Sequence, residues 1–215
     1  MGNFVFQSAF VMTKNYQEDL NHIRSMMERS SRFVLLSGLS GIAAGIAALV
    51  GAGYVYFRLK KMGIDYFTAT KRYYDSELVL EFFVVALLVL FTALFFGVFF
   101  TIRKSKNKQV PIWSSVTKNL IVNFSVPLVV GAFFCMSLYI NHLFAFIAPT
   151  TLIFYGLALV NSEKYTFTDV KYLGFFELFL GCLSLFFLGK GLVFWIIGFG
   201  FMHIIYGIIL FKKHK

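Results

Sequence analysis

Six runs of apolar residues, each about as long as a bilayer is thick, alternate with clusters of Lys and Arg along the 215-residue chain. They cover roughly 33–57, 78–102, 119–140, 143–161, 170–188 and 192–211. A soluble core of this size is built from amphipathic stripes with far more charge between the apolar positions. Here 59% of residues are hydrophobic and only 14% are charged, so the runs predict an all-α, polytopic membrane bundle of about six transmembrane helices. The expected division is a cytoplasmic N-terminal segment (1–32), a six-helix transmembrane domain (33–211) and a basic cytoplasmic tail (212–215).

Two connections are short. Asn141 and His142 join the third and fourth runs, and Gly189, Lys190 and Gly191 join the fifth and sixth, which predicts two tight helical hairpins. The segments 58–76 and 103–118 are longer and basic. Pro149 is expected to break the fourth span, with neighbouring groups satisfying the freed backbone. Residues 15–30 predict a short amphipathic helix, with Asn15 and Glu18 in a capping-box arrangement and Tyr16, Leu20, Ile23 and Met27 on one face. That helix is read as lying on the bilayer or on the protein's own cytoplasmic face, or as docking a partner. Residues 1–12 lack a basic n-region, so no cleavable signal peptide is expected, and Met12 is a second candidate start.

The positive-inside rule sets the expected orientation. With the N-terminus inside, fourteen of the twenty Lys and Arg residues fall on the cytoplasmic side, among them Arg103, Lys104, Lys106 and Lys108, which are expected to face anionic lipid. Six fall opposite, five of them in the segment 58–76, whose Tyr66, Phe67, Tyr73 and Tyr74 suit a membrane interface. The expected location is the bacterial inner membrane, N-in and C-in. The net charge of +10 is thereby assigned to lipid head groups; no nucleic-acid-binding pattern accompanies it.

The stretches Gly38-Leu39-Ser40-Gly41, Tyr155 to Asn161 and Trp195 to Gly207 resemble a group of small multi-pass integral membrane proteins common in Bacteroidota. The resemblance covers the chain from about residue 15 onward. It implies a lineage and a fold, and carries no mechanism.

Motifs of soluble enzymes are missing. There is no P-loop and no HExxH, and Gly198-x-Gly200 leads to His203 inside an apolar run rather than to a third glycine after a strand. No Ser or Cys has a visible base and orienting partner. Cys135 and Cys182 lie inside apolar runs and read as small hydrophobes. No catalytic residue, metal site or cofactor is expected. On the first run, Ser37, Gly41 and Gly45 recur every four residues and predict a close helix contact, internal or in a homo-oligomer.

Ionisable groups inside apolar runs are the informative exception, because each is costly in hydrocarbon. Glu81 lies near the start of its run and can reach the interface. Glu177 and His203 lie deeper. Counted from the cytoplasmic ends of antiparallel spans, they reach depths of roughly 10 and 13 Å, so they are expected to face each other, with Ser40, Asn123, Ser125 and Tyr155 in the same half of the bundle. A carboxylate beside a protonated imidazole can stay charged. Such a pair reads either as a polar clasp fixing the hairpin or as a protonation switch or pocket open to the cytoplasm. The leading expectation is a non-enzymatic membrane protein engaging a cytoplasmic partner or lipid. The alternative is a small transporter or proton-coupled carrier built around Glu177 and His203.

Overall fold

A computed structural model describes residues 37–64, 76–109 and 111–213. Among them every regular element is helical. α1 is Gly38–Lys61, α2 Ser76–Lys108 and α3 Ser115–Ile140. A 3-10 turn (Phe144–Phe146) leads into α4 (Ile147–Ser162), which ends in a second such turn. α5 is Asp169–Phe186. α6 runs Gly191–Lys213 and contains a π-helical stretch, Ile196–Met202. Five helices are long and apolar enough to cross a membrane: α1, α2, α3, α4 with its flanking turns, and α6. α5 spans only 18 residues and carries Asp169, Lys171 and Glu177. The expected amphipathic helix at 15–30 and most of the segment 58–76 lie outside the described residues.

Three expectations need correction. Arg103, Lys104, Lys106 and Lys108 are not in a loop; they form the last turns of α2. Long unbranched side chains favour helix, and nothing interrupts the run until Gln109 turns left-handed (φ 52°) ahead of Pro111. At 1.5 Å per residue the 33 residues of α2 extend about 50 Å, well beyond a hydrocarbon core of about 30 Å. Nor is Lys104 simply lipid-facing: it lies half-buried, with its ammonium 5.6 Å from the Phe167 ring centroid. Pro149 does not break α4. It sits in the first turn, where a helix has no use for the missing N–H.

The hairpin turns are tight. Asn141 bonds its side-chain amide back to the Ser137 carbonyl (2.8 Å) and His142 takes φ 58°. Gly189 takes φ 89° between α5 and α6, a conformation glycine adopts without a steric penalty.

α1 packs between α2 and α6, while α4 packs against α3, α5 and the start of α6. α6 therefore joins two three-helix halves. Lipid tails are as apolar as Leu, so helices in a bilayer associate through close packing rather than hydrophobic drive. Glycine seams supply it. A β-carbon on Gly45 of α1 would stand 2.7 Å from the Gly200 carbonyl of α6, and one on Gly41 would stand 3.2 Å from Gly207 Cα. A β-carbon on Gly156 of α4 would stand 2.8 Å from the Gly174 carbonyl of α5. The α1 stripe is an internal contact, and its first member is Gly38, which meets Gly207 and Phe211. Ser37 precedes the helix, and its carbonyl accepts the Ser40 hydroxyl.

Contacts between helix ends fix relative direction. Lys213 pairs with Asp169 (2.9 Å), Asn161 donates to the Asn123 carbonyl (2.7 Å) and Lys104 covers Phe167. At the opposite end Glu81 accepts from Arg58 Nε (2.9 Å) and the Tyr54 hydroxyl (2.6 Å), and Leu59 and Leu78 pack with Leu192 and Val193. Successive helices thus alternate in direction, and most cationic helix ends gather at one end. Gly45→Leu should lower the thermal midpoint of the purified protein in mild detergent, at a cost of about 1–3 kcal/mol for overpacking. Gly53→Leu and Gly97→Leu, where a β-carbon meets nothing within 4 Å, should leave the midpoint nearly unchanged.

Candidate functional site: a buried carboxyl, imidazole and phenol

The inward face of α5 reads Val170, Leu173, Gly174, Glu177, Gly181 and Ser184, all buried. Its spacing follows the helical repeat, so Glu177 is carried to the middle of the packed seam rather than toward lipid. The carboxyl is 0% exposed, and neither of its oxygens has a hydrogen-bond partner. Room for it is made on α6 by Gly198, where any β-carbon would collide with Glu177 Oε2.

His203 faces it. Nδ1 of the imidazole lies 3.4 Å from Glu177 Oε1 and 3.0 Å from the Gly198 carbonyl. A carbonyl only accepts, so Nδ1 carries a hydrogen and donates it to Gly198. Nε2 lies 2.8 Å from the Tyr155 hydroxyl of α4. In the neutral imidazole Nε2 is then the acceptor and Tyr155 the donor. Gly198 lies within the π-helical stretch and His203 follows its end, and single π-helical stretches are frequent at functional sites. Rings enclose the group. Phe199 stacks on His203 with centroids 5.8 Å apart, Tyr155 meets both rings at 5.1 and 5.3 Å, and Phe124 of α3 stands edge-on to Tyr155 at 6.0 Å.

Of the six residues expected in one polar group, the structure brings Glu177, His203 and Tyr155 together. Ser40 bonds back to Ser37, and Asn123 donates to the Asn119 carbonyl of its own helix (2.8 Å). Ser125 is half-buried on α3. Short polar side chains on a helix have a backbone carbonyl within reach one turn back, and these two use it. Several members are new relative to the sequence reading. Gly198 and Phe199 enter through the π-helix, which no residue pattern announces. Ser184, seven residues beyond Glu177, and Tyr206, three beyond His203, are buried with unpartnered hydroxyls. Their helical spacing from Glu177 and His203 was the available signal.

No protein-family model matches the chain, and no curated protein or solved structure matches it either. The site has to be read from its own chemistry.

A buried carboxyl without a donor destabilises the fold that holds it, because desolvation is not offset by a bond. Glu177→Met, similar in length and apolar, should therefore raise stability by about 1–3 kcal/mol, seen as a higher thermal midpoint in detergent. Tyr155→Phe, which strips the imidazole of its bonded hydroxyl, should lower stability by a similar amount. A drop in the midpoint on Glu177→Met would instead mark the carboxyl as a structural clasp.

Proposed function

We propose that the chain is a non-enzymatic, six-span protein of the bacterial inner membrane that engages anionic lipid or an acidic partner at its cytoplasmic face. The observation that supports it best is the gathering of cationic helix ends at one end of the bundle. Lys118 of α3, Lys164 after α4, Lys171 of α5 and Lys212 and Lys213 of α6 share that end with the overhanging Arg103, Lys106 and Lys108 of α2. Trp113 lies beside them, 71% exposed, as an interfacial anchor. Among the described residues the opposite end carries fewer cations: Arg58, Lys60, Lys61 and Lys190. α5 completes the sixth crossing in this reading, with Glu177 and Ser184 on its buried face. With both termini inside, the basic end lies in the cytoplasm.

Two measurements test it. In a variant freed of Cys135 and Cys182, Asn107→Cys and Lys190→Cys should label from opposite sides of the membrane; labelling of both from one side removes the topology. Neutralising Arg103, Lys106 and Lys108 to Gln should reduce anionic lipid retained by the purified protein. Each charge is worth about 1 kcal/mol near such a surface and is screened by salt. Equal retention in wild type and variant would count against the reading.

A second reading, a proton-coupled carrier, is favoured by one feature: the unbonded Glu177 carboxyl 3.4 Å from an imidazole. Ionisable groups of this kind line the routes of transporters and pumps. A solute-driven proton flux in reconstituted vesicles, lost in Glu177→Gln, would support it.

A further inference from the structure

A groove lies open along the seam of α1 and α2. α2 packs chiefly against α1, the two touching where Gly51 faces Val89. Among the described residues no third helix lines the space beside that contact. What remains is an open cavity of about 830 Å³, within the roughly 300–1,000 Å³ of small-molecule sites. Ala47, Val50 and Gly51 of α1 and Val84, Leu88 and Thr92 of α2 form its apolar length. The Thr92 hydroxyl is bonded back to the Leu88 carbonyl (2.7 Å), so it asks nothing of an occupant. From Glu81 to Thr92 the helix rises about 16 Å, close to half of a hydrocarbon core of about 30 Å. The groove therefore runs the depth of one leaflet.

Its mouth is polar and carries both signs. Tyr54, Glu77 and Glu81 line it. Glu81 accepts from the Tyr54 hydroxyl (2.6 Å) and from Arg58 Nε (2.9 Å), whereas Glu77, one turn earlier in α2, is exposed. Lys60 and Lys61 follow in the last turn of α1, outside the lining. Two carboxylates and a guanidinium thus stand together where the apolar length ends. They complement a zwitterionic head group. An ammonium brings three N–H donors to the carboxylates, and a guanidinium presents a fork that fits phosphate oxygens. An anionic head group would bring its own negative charge against Glu77 and Glu81.

We propose that this groove binds one phospholipid with a phosphoethanolamine head, its acyl chain along the α1–α2 seam, its ammonium against Glu77 and Glu81 and its phosphate on Arg58. The apolar length gives the chain van der Waals contact from two helices at once, and the small Ala47 lets it lie close to the α1 backbone. The site stands at the end of the bundle opposite the overhanging cations of α2. A lipid held here and anionic lipid held there are separate events, so the failure of either leaves the other standing.

The test is native mass spectrometry of the full chain, purified in mild detergent and offered an equimolar mixture of phosphatidylethanolamine, phosphatidylcholine and phosphatidylglycerol with identical acyl chains. The expected result is a phosphatidylethanolamine adduct retained in preference to phosphatidylcholine, whose quaternary nitrogen has no N–H to donate. Glu77→Gln should reduce that preference by about fivefold. Val50→Trp and Val84→Trp fill the groove from α1 and from α2 at positions 68% and 48% exposed. Each should lower the phosphatidylethanolamine adduct by about fivefold or more while phosphatidylglycerol is still retained. Phe91→Trp, on α2 outside the groove and 64% exposed, should keep the wild-type adduct. Equal retention of phosphatidylethanolamine and phosphatidylcholine by the wild type overturns the site. So does an adduct that persists in both groove variants, or a stable dimer that retains no phosphatidylethanolamine, in which a second copy covers the groove.

Discussion

The close approach of α6 to its neighbours governs the rest of the structure. Nothing in a bilayer drives two apolar helices together except the fit of their surfaces and the polar groups they bury. α6 obtains that fit by presenting glycines to two sides at once. Gly200 and Gly207 admit α1, whose Gly38, Gly41 and Gly45 meet them backbone to backbone. Gly198 admits the Glu177 carboxyl of α5. Without the first contact the two halves of the bundle would share little, and without the second there would be no cavity for a carboxyl. The same helix then supplies the imidazole, so one element both assembles the bundle and builds its polar centre.

Burial of Glu177 has a cost that the surroundings do not offset. His203 directs its Nδ1–H mainly to Gly198 and only secondarily, at 3.4 Å, to the carboxylate side. A protein selected for stability alone would replace such a residue with a hydrophobe. At both ends of the bundle paired and exposed cations stand side by side. Arg58 pairs with Glu81 between α1 and α2, the Tyr54 hydroxyl donating to the same carboxylate, while Lys60 and Lys61 are exposed; at the other end Lys213 pairs with Asp169 while Arg103, Lys106 and Lys108 overhang as exposed cations on α2.

Much of this was legible in the sequence because bilayer thickness imposes a length on each apolar run. A helix lies at each run, five of the six being long and apolar enough to cross a membrane, and both hairpin turns fall at Asn141–His142 and Gly189. Depth counting along α5 and α6 was enough to set Glu177 opposite His203, since helical rise is uniform. Azimuth was harder. Ser40 and Asn123 occupy the expected half of the bundle, yet a serine or asparagine in a helix can satisfy itself on its own backbone, and depth alone cannot distinguish that from a shared site. The basic segment 103–108 reads from charge as a loop, yet it forms the last turns of α2, because Lys and Arg are good helix formers once the chain has left the hydrocarbon. The π-helix was invisible: Ile196–Met202 has no composition that distinguishes it from ordinary helix.

That π-helical stretch gives α6 an unusual intolerance of changes in length. Its wider turn accommodates a residue that an α-helix would carry round by about 100°. Every side chain beyond it is thereby set at an angle that depends on the extra residue being there. Removal of any single residue between Ile196 and Met202 would leave a helix of normal pitch and unchanged hydropathy, yet Tyr206 and Gly207 would each point to a different neighbour. An alignment that treats the stretch as freely gapped would therefore pair residues that occupy different faces of the bundle.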